Sequence, residues 1–372
     1  MNPARLSAYL SAFAEEEGYL DFARVGPPSR PVVEAGTAAL AAVSAAGLGT
    51  VDELMGAEGR ALAAASRLLG FPPGNVAYSP STSAGLFQAA FAVRGPVLVS
   101  PAEFPANLYP WWRAESAGRL DVVPLPAGPV TPDVVRAAPD AAALVVSAVD
   151  FATGFRADLS GLREVLGERL LVVDAIQGLG AVDVDWTAAD VLVAGGQKWL
   201  RSGWSTGVVA VSDRALERLD PLLAGWTGVQ DATDYDGAEH PLAPGAARFS
   251  TTNTSPVAQA CLAAGLELLE SAGVRCVAAR IAGGVDELLD LLDRRGVVVT
   301  SAREPASRAG IVAFRVPGVD GAELHAALGR AGVTCTRHGE RVRLSVHATT
   351  APAALDRVDD ALASLGVTAA QA

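Results

Sequence analysis

Lysine is almost absent from this chain: of 29 basic side chains in 372 residues, Lys198 is the sole lysine and the rest are arginines. Alanine, glycine and arginine abound, a compositional bias under which most arginines need no functional account. Cysteine is scarce too. Cys261, Cys276 and Cys335 are scattered, odd in number and lack CxxC spacing, which argues against a disulfide framework or a zinc site and for a reducing cytoplasm. There is no basic block and the formal net charge is -12, so nucleic acid and anionic membranes are poor partners. No apolar run approaches a membrane span, and the N-terminus has no cleavage-site pattern. Half of the residues are apolar, enough for one large domain with a smaller one appended.

From about residue 75 to 212, short β-branched runs alternate with alanine- and leucine-rich stretches: "NVAYSP", "GPVLVSP", "LDVVPLP", "AALVVSAV", "RLLVVDA", "DVLVAGG" and "STGVVAVS". Several are apolar on both faces, the pattern of strands covered by helices on each side, so an α/β domain with a mostly parallel sheet is expected. Functional residues in such sheets cluster at the carboxyl ends of the strands. Residues 228–247 are polar and rich in Gly, Pro and Asp, a long loop, and "SPVAQACLAAGLELLESAG" reads as a helix with Pro256 in its first turn. The tail reads strand "GIVAFRV", helix "GAELHAALGRAG", strands "VTCTRHG" and "RVRLSVH", helix "APAALDRVDDALASLG", an α+β unit. The expected division is an N-terminal segment 1–25 serving the active site and the small domain, a large domain 26–250, and a small C-terminal domain 251–372.

Lys198 follows the apolar run "DVLVA" and two glycines, where a strand opens into a loop. An amine there can lose its proton and form an imine with a carbonyl; a guanidinium cannot. Partial burial lowers the lysine pKa toward the working range. A phosphate-binding P-loop is excluded because Gln197, not glycine, precedes the lysine. The bland alternative is a surface lysine that escaped replacement. Asp174 ends another apolar run and Gln177 follows three residues later. An aspartate there is either a cap or turn residue or, beside an imine-forming lysine, the partner of a pyridinium nitrogen, keeping it protonated so that the ring absorbs an electron pair from Cα. Gln177 would then reach the ring's phenolic oxygen. Ser81, Thr82 and Ser83 open a helix, where free N–H groups either receive a plain cap or attract a phosphate.

These stretches, in this order, resemble the class V branch of the fold type I pyridoxal-phosphate enzymes, the branch of cysteine desulfurases, kynureninases, isopenicillin N epimerase-like proteins and C–S lyases. The resemblance covers nearly the whole chain. "YLDFARVGPPSRPVVEA" is similar to the family's N-terminal active-site segment, and "AEFPANLYPWW" to the stretch whose ring lies over the cofactor, which implies Phe104. "SAVDFATG", "VVDAIQGLG" and "GGQKWLRSGWSTG" follow with family-like spacing. "RFSTTNTSP" resembles the segment that reaches the phosphate held by the partner subunit of a homodimer, implying Thr251 and Thr252. "RVRLSVHATT" resembles the stretch whose arginine holds the substrate carboxylate, implying Arg343. The implied cofactor is pyridoxal 5'-phosphate. Its implied contacts are Thr82, Ser83, Phe104, Asp174, Gln177, Gln197 and Lys198, with active sites at a subunit interface.

The departures bear on the reaction. Desulfurases carry a nucleophilic cysteine on a loop before the carboxylate arginine; here "TCTRHGERVR" is short, and Cys335 falls in an expected β run, so a small buried hydrophobe is the reading. Where desulfurases stack a histidine, Phe104 cannot move a proton. Gln197 replaces their histidine before the lysine, and Gly195 a serine. The resemblance therefore implies Cα-carbanion chemistry other than desulfuration: β-elimination on a cysteine-derived or similar small amino acid, with amino transfer or epimerisation as alternatives. Arg24 is a candidate for a second acidic group on the substrate, against a surface salt bridge. Trp204 and Trp226 are candidate pocket walls, and His338 and His347 lie near Arg343 in sequence. From other classes, a cofactor-free imine-forming lysine enzyme and a catalytically dead binding protein stay open.

Overall fold

The computed structural model describes residues 3–367. The seven apolar runs are seven strands: β1 Val76–Tyr78, β2 Val97–Val99, β3 Val122–Pro124, β4 Ala143–Ser147, β5 Leu170–Asp174, β6 Val191–Gly195 and β7 Gly207–Val211. They form one sheet in the order β1-β7-β6-β5-β4-β2-β3. The pairs from β3 to β6 are parallel, whereas β7 runs antiparallel to both β6 and β1. Every residue of β5, β6 and β7 is buried, which is why these runs are apolar on both faces. Each Leu or Val so buried contributes roughly 1.5–3 kcal/mol.

The tail builds a four-stranded antiparallel sheet, β10-β11-β9-β8, from β8 Val298–Val299, β9 Ile311–Arg315, β10 Thr336–His338 and β11 Arg341–Ser345. Helices Gly321–Arg330 and Pro352–Ser364 cover it through Leu324, Leu328, Val358 and Leu362. Residues 228–247 are largely irregular, as expected. Not expected from the sequence are the helix Val274–Arg294 and the two-residue β8. Gly283 and Gly284 weaken the helical signal in mid-helix. Gly284 is needed for close packing, since a Cβ there would lie 2.7 Å from Val346 Cγ1. Cys335 is a correction: it lies just before β10 rather than in a strand, although it is buried among apolar side chains.

The N-terminal segment reaches the second sheet: Leu20 N donates to Thr334 O at 3.0 Å and Ser345 N to Leu20 O at 2.7 Å. Helix Pro256–Ala272 places Leu262, Leu266 and Leu269 in the core of the first sheet. Among the described residues no single helix is long and apolar enough to cross a membrane.

Candidate active site

The carboxyl ends of β4, β5 and β6 converge, with Ser147 in register with Asp174 and Asp174 with Val193. There a cavity of about 370 Å³ gathers Lys198, Asp174, Gln177, Gln197, Thr82, Ser83, Phe104, Arg24 and Arg343. One tertiary pocket thus collects nine of the eleven residues expected to contact cofactor or substrate. Thr251 and Thr252 are the exceptions: both are exposed and line a separate groove with Tyr78 and Ser79, so one chain does not bring them to Lys198.

Lys198 sits half-buried three residues past the end of β6. Burial pulls its ammonium down to about 8, Asp174 opposing and Arg343 assisting. Asp174 is 3% exposed and its Oδ1 accepts from Ile176 N at 3.0 Å. Burial pushes this carboxyl up to about 6, against that hydrogen bond and Lys198. A buried carboxylate of this kind is suited to a cationic ring nitrogen.

Gln177 has a fixed orientation. Its Oε1 accepts from Trp199 Nε1 at 2.7 Å and its Nε2 donates to Ala23 O at 2.9 Å. An indole only donates and a carbonyl only accepts, so the amide cannot be flipped, and one Nε2 hydrogen is left for the pocket. Ser81 caps the helix Thr82–Ala92, its Oγ accepting from Ala84 N. Thr82 Oγ1 accepts from Gly195 N at 2.9 Å, which binds the helix start to β6 while its own hydrogen stays available. Ser83 is exposed at the pocket wall. Phe104 is 42% exposed, and Lys198 Nζ lies 5.6 Å from its ring centroid.

Arg343 is buried on β11. Nη1 donates to Phe151 O at 2.8 Å, Nη2 faces Asp21 Oδ1 at 3.5 Å, and Nε has no partner among the described residues. A buried donor left unpaired costs free energy, and an anionic ligand in the same cavity would relieve it. Asp21 was not singled out from sequence. It is buried, accepts from Thr336 Oγ1 at 2.8 and 2.9 Å, and is pushed up by burial. Its only signal was its place three residues before Arg24. Glu103, which lines a neighbouring cavity and not that of Lys198, was not singled out either: its carboxylate accepts from Ser147 N at 2.8 Å and Asn107 Nδ2 at 3.1 Å, and burial pushes it up to about 7.

Arg24 is exposed at the pocket and makes no salt bridge among the described residues, so the surface ion pair is not found. Trp204 (68% exposed) and His338 line the pocket; Trp226 and His347 do not. The Cys335 thiol is pushed up to about 12 by burial and lies outside the pocket.

Residues 82–362 match the family model described as aminotransferase class-V. Among curated proteins, a kynureninase of Deinococcus radiodurans is 29% identical over 220 residues, 56% of this chain and 53% of the relative, so the chain spans about half the length of that protein. The Bacillus subtilis protein named uncharacterized aminotransferase YcbU is 25% identical over 76% of each chain. Among solved structures, an apo cysteine desulfurase from Thermococcus onnurineus NA1 superposes with a TM-score of 0.82 at 20% identity, covering 93% of each chain. That likeness concerns the fold.

Proposed function

The chain belongs to the aminotransferase class-V family of pyridoxal-phosphate enzymes, and we propose that it removes the Cα proton of an amino acid with loss of a leaving group at Cβ. The observation that carries this reading is the pocket that places the single lysine beside Asp174, under the Phe104 ring and within reach of an arginine with an unpaired Nε. When bound, pyridoxal phosphate supplies an electron sink for the pair left at Cα. Asp174 would hold its ring nitrogen, Phe104 its face, Gln177 its phenolic oxygen, and Thr82, Ser83 and Gln197 its phosphate end. Thr251 and Thr252 of a second copy would complete the phosphate site in a homodimer.

Arg343 receives the substrate carboxylate through Nε and a neighbouring Nη, a charge-assisted bidentate contact. Lys198 would hold the cofactor's aldehyde carbon. As a free amine it serves as base for the Cα proton, its lowered pKa keeping a useful fraction deprotonated near neutrality. The resulting ammonium can return that proton to a leaving group on the same face. Epimerisation needs a second proton donor opposite, and Phe104 has none. Desulfuration needs an accessible nucleophilic thiol at the pocket, and neither Cys261, Cys276 nor Cys335 lines it. Arg24 stands at the mouth as a cation for an acidic or polar side chain.

The test is the visible spectrum of the purified protein with a panel of amino acids and no keto-acid acceptor. Elimination predicts a persistent cofactor band while keto acid and ammonia accumulate over many turnovers. Stoichiometric bleaching would assign amino transfer instead. A protein that takes up no pyridoxal phosphate would sink the reading altogether.

A further inference from the structure

Three segments of the chain meet on one buried guanidinium that the chemistry above does not use. Arg201 is 1% exposed and closes the turn that carries the lysine, its N–H donating to Lys198 O at 3.0 Å. Its backbone lies in the left-handed region, φ 54°, which side-chain-bearing residues avoid unless the surroundings hold them there.

Every arm of the side chain is occupied. Nε donates to Pro27 O at 2.6 Å; Nη1 donates to Glu15 Oε1 at 2.9 Å and to Thr349 Oγ1 at 3.1 Å. Nη2 donates to Glu15 Oε2, completing a bidentate fork. The guanidinium carbon lies 3.6 Å from the centroid of the Phe13 ring. His347 Nδ1 faces Arg201 Nη1 at 3.3 Å and Thr349 N at 3.2 Å, both donors, so Nδ1 accepts and the ring proton resides on Nε2, toward the Tyr9 hydroxyl. Burial and Arg201 hold this imidazole neutral.

Each segment brings something to the pocket. Residues 13–27 carry Asp21, paired with Arg343, and Ala23, whose carbonyl orients Gln177. In the same segment Gly26 N donates to Gln197 O at 2.8 Å, and a Cβ on Gly26 would lie 2.0 Å from Lys198 O, so the two backbones abut. Residues 347–349 leave the end of β11, the strand of Arg343. Arg201 itself does not line the pocket.

We propose that Arg201 is a positioning residue: its fork locks the Lys198 turn to the N-terminal segment and to the end of β11, so that Lys198, Asp21 and Arg343 share one rigid frame. This rests on the assignment of Lys198 as the reactive amine and Arg343 as the carboxylate anchor. A lysine could not replace it, because a point charge cannot engage Glu15, Pro27 and Thr349 in a planar fork.

The experiment uses the full-length protein, with and without pyridoxal phosphate. Removing Arg201 alone would strand Glu15 as a buried, unpaired charge and endanger the fold. The main variant is therefore R201M/E15Q, which removes both charges at similar volume; R201K keeps the charge and loses the fork. Both variants are expected to give wild-type circular dichroism and kcat/KM lowered roughly 10- to 100-fold, the cost of a small misplacement of reacting groups. In cofactor-free protein grown on isotope-labelled lysine, the single side-chain resonance of Lys198 should titrate closer to the ordinary lysine range than in wild type. A folded R201K or R201M/E15Q protein with unchanged kcat/KM and unchanged lysine titration would overturn the proposal. An active Lys198→Ala protein would instead remove the assignment on which it rests.

Discussion

Asp21 and Arg343, 322 positions apart in sequence, face each other at 3.5 Å, Asp21 lying behind the wall of the Lys198 pocket that Arg343 lines. The Thr336 hydroxyl donates between the two oxygens of the carboxylate, and Phe151 O accepts from the guanidinium, so both partners are held from outside the pair. The arginine is thus oriented with its buried Nε unpaired among the described residues. In Asp21→Asn that orientation weakens, and KM for the amino acid should rise about tenfold with kcat less affected, a loss of ground-state and transition-state binding alike. Arg343→Ala should raise KM further; an unchanged KM there would move the carboxylate site elsewhere, with Arg24 the next candidate.

Lys198→Ala and Lys198→Arg should both abolish turnover, by roughly 10³-fold or more, since neither side chain can form the imine or act as the base. Both proteins should lose the visible cofactor band. Equal activity in the arginine variant would show that only a positive charge is needed at this position.

Burial makes Asp174 a cost to the cofactor-free protein. Its folded-state pKa, about 6, lies above the ordinary carboxylate value of about 4, so the folded state binds more protons in that window. Cofactor-free stability should accordingly fall as pH rises from about 4 to 6. Asp174→Asn should remove that slope and, at neutral pH, stabilise the cofactor-free fold by on the order of 2–3 kcal/mol. The same change should cripple turnover. Urea unfolding across this pH range checks it, and a slope retained in the variant would place its origin in another group, such as Glu103.

Lys198 works in the opposite direction. Its folded-state pKa of about 8 lies below the ordinary value of about 10.4, so stability from this group is gained as pH rises through that interval. In the loaded enzyme the amine is free to act as base only with substrate bound, so kcat should rise toward pH 8 as it loses its proton. A flat profile between pH 7 and 9 would show that another group accepts the Cα proton.

Cys335→Ala should leave both turnover and cofactor binding at wild-type values, with stability within about 1–2 kcal/mol, the cost of trimming one small buried side chain. Loss of activity specific to a cysteine substrate would restore the desulfurase reading that the buried thiol argues against.

What the sequence determined by itself is the first sheet and the strand-end residues of its pocket, Phe104 and Arg343 being named only through the family resemblance. Strands β4 to β7 are buried on both faces, so their apolar runs stand out, and strand ends name Asp174 and Lys198 without knowledge of the fold. Lys198 was legible for a compositional reason, being a lone lysine among arginines. Asp21, Glu103 and Arg201 were not legible. An acidic or basic residue in a linear sequence reads as surface, and only long-range pairing with Arg343, Ser147 or Glu15 accounts for its burial. Tertiary structure alone decided that Gln177 would be orientated by Trp199, that Arg24 would stand at the pocket without an ion pair among the described residues, and that Thr251 and Thr252 would lie outside it within one chain. Local patterning reports which face of an element is buried, but which charges meet inside depends on how distant segments close on one another.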